Sequence, residues 1–203
     1  MSSEERIAEL IEDLEELDED VINEAKTELI EIGEPAVSQL IETLAHNLYD
    51  VVEQAADVLA AIGEPAIPAL MDEMNIAVRH HALAISSTLS RMGEMAIPVL
   101  VNALSNKLNE DLREYAVRAL SSMGGTAKSA IPALIEALED PADEVRTYSA
   151  YALANFGEDA SEAIPALVRA FDVDSDRVKH HVAFALEKID TPEAHEALKA
   201  LLS

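Results

Sequence analysis

The stretch Ile62–Leu70, IGEPAIPAL, places a glycine and two prolines between two segments whose apolar residues recur at helical spacing. A glycine just past the last turn of a helix adopts the left-handed region without steric cost, so we expect Gly63 to end one helix. A proline in the first turn of a helix loses no intrahelical hydrogen bond, so Pro65 and Pro68 are expected to begin the next helix. The stretch therefore predicts a helix stop followed at once by a helix start.

The same pattern returns along the chain at intervals of 30 to 33 residues. Apolar stripes at helical spacing precede and follow each anchor position, so each unit is predicted to be a helical hairpin. The fourth and fifth units carry three additional residues after the glycine, and we expect these residues to lengthen the turn. The anchor positions are Gly33, Gly63, Gly93, Gly124 and Gly157, with Asp190 in the sixth place.

Helical hairpins of this length bury their apolar faces by stacking on their neighbours. The predicted fold is all-α, a right-handed α-solenoid of about six hairpins in a single repeat domain over residues 1–203. Residues 1–18 are expected to form an N-terminal capping helix, and residues 19–203 the six helix-turn-helix repeats. The capping helix is predicted because Ile7, Leu10, Ile11 and Leu14 share one side of it, and acidic residues occupy most of the rest.

The fifth unit, Asp140–Leu167, reads DPADEVRTYSAYALANFGEDASEAIPAL and resembles the HEAT-like repeats of the phycobilisome-lyase type. The resemblance covers nearly the whole chain, although the residue after the first-helix valine or its equivalent is basic only in the last three units. It implies a superhelix whose second helices line a concave face and bind other proteins, and it implies no reaction. The matching positions are Val145, Arg146, Ala150, Leu153, Gly157, Ile164, Pro165 and Leu167.

The charge composition narrows the class of partner. Forty acidic residues against 14 Lys and Arg give a net charge of −26. A charge of this sign repels phosphate backbones and anionic lipid, so neither nucleic acid nor a membrane is expected as a partner. No signal peptide is recognisable, and no apolar run reaches the roughly 18 to 20 residues of a membrane span. We expect a soluble, cytoplasmic protein whose acidity reflects either a solvated surface, as in a salty cytoplasm, or a basic partner.

A column of second-helix positions is the candidate protein-binding surface. The residue five positions after Ile67, or after its equivalent, points away from the core, and three of the five such residues are acidic. We interpret the column as a ladder that binds a basic segment of another protein, with an ordinary solvated face as the alternative. The column consists of Glu42, Asp72, Asn102, Glu136 and Arg169.

A second candidate stripe consists of Tyr115, Tyr148 and His181, each three residues after the apolar start of its first helix. Flat side chains on adjacent helices either form a binding stripe or pack between the helices as polar-tipped core residues. We expect no catalytic residue, no metal site and no cofactor. The chain has no cysteine, and the adjacent histidines of the pairs 80–81 and 180–181 diverge by about 100° on a helix.

The leading functional hypothesis is a non-enzymatic scaffold or adapter that presents an acidic concave surface to a basic segment. Two alternatives stay open. The family resemblance suggests a chaperone-like or lyase-like subunit that acts on a bilin chromoprotein. A metal-dependent hydroxylase of the HEAT-repeat class would need several His-Glu dipeptides, of which only His195-Glu196 is present. The apolar Leu198, Leu201 and Leu202 of the last helix also suggest a homodimer through the C-terminal end.

Overall fold

A computed structural model describes residues 2–173 and 175–202, and this part of the chain contains helices and turns but no β-strand. The all-α prediction is confirmed. None of the described helices is both long enough and apolar enough to cross a membrane. The α-helices are α1 (Ser3–Asp13), α2 (Glu19–Ile32), α3 (Val37–Thr43), α4 (Tyr49–Ile62), α5 (Ile67–Met74), α6 (Arg79–Arg91), α7 (Ile97–Leu104), α8 (Glu110–Met123), α9 (Ile131–Ala137), α10 (Asp143–Asn155), α11 (Ile164–Val173), α12 (Asp176–Ile189) and α13 (Pro192–Leu201).

After α1, the helices follow the predicted hairpin order, from α2 and α3 to α12 and α13. Helix α1 lies where the N-terminal capping helix was predicted, and it buries Ile7 and Leu10. Its own N-terminus is closed by a capping box, in which the Ser2 hydroxyl accepts from the Glu5 amide and the Glu5 carboxylate accepts from the Ser2 amide. Each of these bonds satisfies a backbone donor that the helix leaves unpaired.

The chain forms two compact units, residues 1–96 (unit 1) and 97–203 (unit 2). In unit 1, the first helices α2, α4 and α6 lie side by side, as do α1, α3 and α5. In unit 2, α8, α10 and α12 form the row of first helices, and α7, α9 and α11 pack against them in turn. Each unit is therefore a stack of helices in two layers, with its core between the layers.

The core repeats with the sequence. The leucine four residues before the anchor position is fully buried in every hairpin, at Leu29, Leu59, Leu89, Leu120, Leu153 and Leu186. A second fully buried leucine lies in the second helix, at Leu40, Leu70, Leu100, Leu134 and Leu167. Burying one such side chain contributes about 1.5–3 kcal/mol. These leucines form part of the core of their own unit.

Three anchor glycines cap the first helices as predicted, but in a different backbone conformation, whereas Met92 and Phe156 are the caps before Gly93 and Gly157. Gly33, Gly63 and Gly124 have φ of 70°, 75° and 53°, with ψ of −131°, −136° and −139°. This is the mirror image of the extended region, which is less accessible to other residues than the left-handed helical region that we expected. Asp190 does adopt the left-handed helical region, at φ 55° and ψ 28°. An aspartate tolerates that region, which explains the sixth position.

A short 3₁₀ segment separates the glycine from the second helix. In the second hairpin it spans Glu64–Ala66, whereas in the fourth it spans Gly124–Ala130. The three inserted residues therefore lengthen this turn, as predicted. Pro65 lies in the 3₁₀ segment and Pro68 in the first turn of α5. The first proline therefore stabilises the turn rather than the helix, and only the second begins the helix.

An ion-pair network joins the first helices of unit 1. Lys26 of α2 donates to Asp57 of α4 at 2.9 Å and to Gln54 at 2.8 Å. Arg91 of α6 donates to the other Asp57 oxygen at 2.6 Å and also pairs with Glu53. Burial opposes ionisation of Asp57, but the hydrogen bonds and charges of Lys26 and Arg91 hold its pKa below its ordinary value. One carboxylate thus links three helices.

Adjacent glycines in unit 2 offer a matched test of the turn. We expect Gly124→Ala to lower the free energy of unfolding by about 1–3 kcal/mol, because alanine is strained at this positive φ. An added Cβ would have open space at both Gly124 and Gly125, and only Gly124 has a positive φ. Gly125→Ala should therefore change the stability by less than about 0.5 kcal/mol. Urea unfolding followed by circular dichroism measures both, and equal losses would contradict the assigned turn.

The Asp57 network should make stability depend on pH. Asp57→Asn should cost about 1 kcal/mol at pH 7, a modest loss because the side chain is 44% exposed and solvent screens the pairs. Because the pKa of Asp57 is lower in the folded state, its ionised form stabilises the fold. This contribution is complete above the unfolded-state pKa of about 3.9, and it is lost as the pH falls through the folded-state pKa. The difference between the two proteins should therefore shrink by pH 3. Urea unfolding at pH 7 and pH 3 measures this difference in stability, with substitution of the exposed Glu24, Glu24→Gln, as the control. An equal difference in unfolding free energy at both pH values would refute the prediction.

Candidate functional site

The five column residues all lie on second helices and all are exposed. Unit 1 holds Glu42 on α3 and Asp72 on α5. Unit 2 holds Asn102 on α7, Glu136 on α9 and Arg169 on α11. Their exposure agrees with the sequence prediction, and whether they bind a partner stays a prediction.

In unit 1, the two carboxylates of the column share a groove of about 370 Å³ between α3, α5 and the start of α6. Glu73 adds a third carboxylate, and the apolar Ile76 is 76% exposed at its edge. We call this the acidic groove. Its lining residues are Ser38, Ile41, Glu42, Ala69, Asp72, Glu73, Ile76 and His81.

The repeat register explains why two carboxylates meet here. Val37 and Ile67 begin equivalent helices and are 3% and 5% exposed. Glu42 and Asp72 follow them by five residues, which turns both side chains away from the core. Because α3 and α5 lie side by side, the two carboxylates occupy matching places. Across the described residues, neither carboxylate forms an ion pair or a hydrogen bond, so both are available to a ligand.

His81 fixes one wall of the acidic groove. The residue is 8% exposed, and its Nε2 lies 2.9 Å from the Ile41 carbonyl oxygen. Because a carbonyl oxygen only accepts, Nε2 carries the proton. The other ring nitrogen, Nδ1, faces Oε1 of Glu73 at 3.5 Å. His81 thus ties α6 to the end of α3 and places a ring nitrogen beside the third carboxylate.

His81 and Glu73 line the acidic groove, but neither was predicted from the sequence to belong to it. A signal for His81 was present, since it occupies a repeat position that is apolar in the other hairpins, at Val21, Val51, Leu112, Val145 and Val178. A histidine in a core column needs a hydrogen-bond partner. Glu73 follows directly after Asp72, and only the position of α6 shows that it faces the same groove.

In unit 2, Glu136 lines a second groove, of about 390 Å³, whose wall contains a buried ion pair. Arg113 is 5% exposed and donates through Nε and Nη2 to both carboxylate oxygens of Asp140, at 2.6 and 2.9 Å. Its Nη1 donates to the Asn106 carbonyl at 2.9 Å. The hydrogen bonds to Asp140 raise the pKa of the Arg113 guanidinium above its ordinary value, against the opposing effect of burial.

This pair joins consecutive hairpins of unit 2. Asp140 precedes α10 and also accepts from the Ala142 amide at 2.8 Å, while Arg146 donates to the Asp140 carbonyl at 2.6 Å. Removing one partner of a buried pair of this kind typically costs about 3–5 kcal/mol. The sequence signal was the basic residue that recurs after the first-helix valine or its equivalent. This pattern did not identify Asp140 as the partner of Arg113, because the spacing of the basic residues alone does not indicate which acid they contact.

The column is less acidic in unit 2 than in unit 1. Asn102 is uncharged, and Arg169 pairs with Glu139 at 3.3 Å. Both side chains of that pair are more than 60% exposed, so the pair contributes little to stability. Glu136 keeps an exposed carboxylate with no ion pair among the described residues.

The second stripe does not form a continuous exposed surface. Tyr115 is only 3% exposed, because the first turns of α8 are buried from Leu112 to Val117. Tyr148 is half-buried beneath the Arg118 guanidinium, 4.0 Å from its ring centre. His181 is half-buried, and its Nδ1 lies 2.9 Å from the Arg177 carbonyl oxygen. At Tyr115 the second alternative holds, because this side chain packs in the core, and a binding role for Tyr148 and His181 stays a prediction.

The remaining histidines lie apart from both grooves. His46 lies 3.8 Å from Glu15, and His195 lies 2.9 Å from Asp190. In the ranges that the structure describes, no three or more histidine and acidic side chains are close enough to hold a metal ion. At the end of α13, Leu202 is 69% exposed. The homodimer through this end stays a prediction.

The chain is similar to solved helical-repeat structures at low sequence identity. A designed armadillo repeat protein in complex with the peptide (KR)4 is 18% identical, with 91% of this chain and 99% of that chain covered and a TM-score of 0.51. The phycocyanin lyase complex of CpcE and CpcF from Nostoc sp. PCC7120 gives 18% identity, coverage of 74% and 98%, and a TM-score of 0.56. At this identity the likeness concerns the fold, so the functional hypotheses, including the lyase and hydroxylase alternatives, stay predictions.

The family comparison agrees with the repeat pattern. No curated protein matches the chain. The family model described as HEAT repeats matches residues 64–154 and 131–203, which together cover more than half of the sequence. The resemblance inferred from the fifth unit is confirmed, and the chain belongs to the HEAT repeat family of α-solenoid proteins.

Proposed function

We propose that this protein is a binding scaffold that holds a basic segment of another protein in the acidic groove of unit 1. The observation that carries the proposal is the pair Glu42 and Asp72, two exposed carboxylates on neighbouring second helices. Neither has a cationic partner among the described residues. Repeat folds of this kind typically bind proteins along such helices.

Charge and apolar contact have different roles in this proposal. The net charge of −26 attracts a basic segment and speeds its association. Exposed ion pairs contribute only about 0.2–1 kcal/mol each, so three carboxylates supply at most about 3 kcal/mol. Micromolar binding requires about 8 kcal/mol. The exposed Ile76 and the half-buried Ala69 are the groups that supply apolar contact, so we expect the partner to carry an apolar side chain beside its cations.

Glu136 of unit 2 supports a second and weaker contact of the same kind. Its groove contains Lys107 and the neutralised pair of Arg113 and Asp140, so it is less negative than the acidic groove. We therefore expect a basic segment to depend more on unit 1 than on unit 2.

The peptide (KR)4, which the designed armadillo repeat protein binds in its solved complex, is a suitable probe. Isothermal titration calorimetry of the full chain should detect its binding at low ionic strength. The double variant Glu42→Lys/Asp72→Lys should weaken binding at least tenfold, because it replaces two attractive contacts by repulsion. Glu136→Lys alone should weaken it less.

A matched control distinguishes the groove from the overall charge. Glu64→Lys/Glu94→Lys makes the same change in net charge at two exposed 3₁₀ positions of unit 1, outside the acidic groove. The control should retain most of the affinity. If both double variants lose affinity equally, the interaction is a general attraction to an acidic protein and the proposed site is wrong.

A further inference from the structure

The first helices of unit 2 carry an aromatic cluster at their surface. The rings of Tyr151 on α10 and Phe184 on α12 stack at 6.1 Å with an interplanar angle of 14°. His181 meets Tyr151 edge-on at 6.3 Å, and His180 lies 5.4 Å from His181. Lys188 places its Nζ 5.4 Å from the Phe184 ring centre. We call these five residues the aromatic patch.

Helical spacing explains why the patch is continuous. His181, Phe184 and Lys188 follow one another at i, i+3 and i+7, so they share one face of α12. Helix α10 packs directly against α12, which brings Tyr151 between the histidine and the phenylalanine. The result is a platform of two parallel rings with polar groups around it.

Three polar groups of the patch have no hydrogen-bond or ion-pair partner among the described residues. Tyr151 is 41% exposed, and its hydroxyl forms no hydrogen bond among the described residues. His180 and Lys188 are exposed and likewise have ring contacts but no carboxylate partner. This differs from Lys26, Arg91 and Arg113, which all pair with acids. Lys188 is thus a cation beside the Phe184 ring that no acid neutralises among the described residues.

The hydrogen bond of His181 gives the patch a further acceptor. Its Nδ1 lies 2.9 Å from the carbonyl oxygen of Arg177, one helical turn before it. Because that oxygen accepts, the proton is on Nδ1. Nε2 then carries the lone pair of the neutral ring, and it forms no hydrogen bond within the described ranges. Arg177 itself pairs with Glu144 at 3.0 Å, so this carboxylate neutralises its charge.

We propose that the aromatic patch is a docking surface for an acidic segment of a protein that pairs an aromatic side chain with carboxylates. The parallel rings offer a stacking surface, and offset or edge-on aromatic pairs contribute about 0.5–1.5 kcal/mol beyond area burial. Lys188, His180 and the Tyr151 hydroxyl donate to the carboxylates. Charge complementarity selects an acidic occupant, because the exposed Lys188 has no acidic partner among the described residues.

A short acidic segment fits this surface better than a nucleic acid does. A long polyanion would meet the net charge of −26 of the chain, which repels it. A short segment interacts mainly with groups within about 8 Å at physiological salt, the screening distance of the solution. Its charge therefore interacts with Lys188 more strongly than with the distant acids of the protein, and the exposed His180 adds a hydrogen-bond donor.

The test uses the full chain and an unlabelled hexapeptide of two phenylalanines flanked on each side by two glutamates. Isothermal titration calorimetry should detect binding to the unmodified protein. Tyr151→Ser and Lys188→Glu should each weaken it about tenfold, since one removes a ring and the other reverses a charge. Both should leave (KR)4 binding unchanged, so this proposal and the acidic groove succeed or fail separately.

Lys107→Glu is the matched control, because Lys107 is an exposed lysine outside the patch that undergoes the same change in charge. It should leave peptide binding within twofold of the unmodified protein. Three results would overturn the proposal: no binding of the hexapeptide at millimolar concentration, equal binding by Lys188→Glu, or equal loss in Lys107→Glu. Lys188 is exposed and pairs with no acid, so its variant folds even if Tyr151→Ser does not, and circular dichroism checks both.

Discussion

The reversal of the chain at a glycine with positive φ is the constraint on which the rest of this structure depends. At Gly63 the backbone enters a region that other residues rarely occupy, so the first helix stops at a fixed residue. The short 3₁₀ segment that follows then fixes where the second helix begins. Because the end of the first helix and the start of the second are both fixed, Leu59 and Leu70 are buried on opposite sides of the turn while Asp72 is exposed. The core and the candidate binding surface thus follow from one local geometry.

The two units use different interactions to hold their first helices together. In unit 1, Asp57 accepts from Lys26 and Arg91 and so joins three helices by charge. In unit 2, the rings of Tyr151 on α10 and Phe184 on α12 stack on each other, and a buried Arg113–Asp140 pair links successive hairpins. Such pairs leave few cations free in a strongly acidic chain. The carboxylates that remain unpaired are therefore the ones that can act on a partner.

Much of the fold was predictable from the sequence because it depends on local rules. The anchor glycines, the lengthened turns of the fourth and fifth hairpins and the exposure of Glu42 all follow from periodicity and turn chemistry. The pairings between hairpins were not predictable in this way. His81 reaches a carbonyl 40 residues away, and Arg113 reaches Asp140 across 27 residues. Such contacts depend on how helices pack in three dimensions, as does the burial of Tyr115.

The acidic groove is the central functional claim, and amide chemical-shift mapping of the full chain during titration with (KR)4 tests it most directly. We expect the largest shift changes in α3, in α5 and at Ile76, with smaller changes on α9 around Glu136. Raising the salt concentration should diminish all of them together. Shift changes confined to the first helices or to the 3₁₀ turns would contradict the account, as would the absence of any change at millimolar peptide.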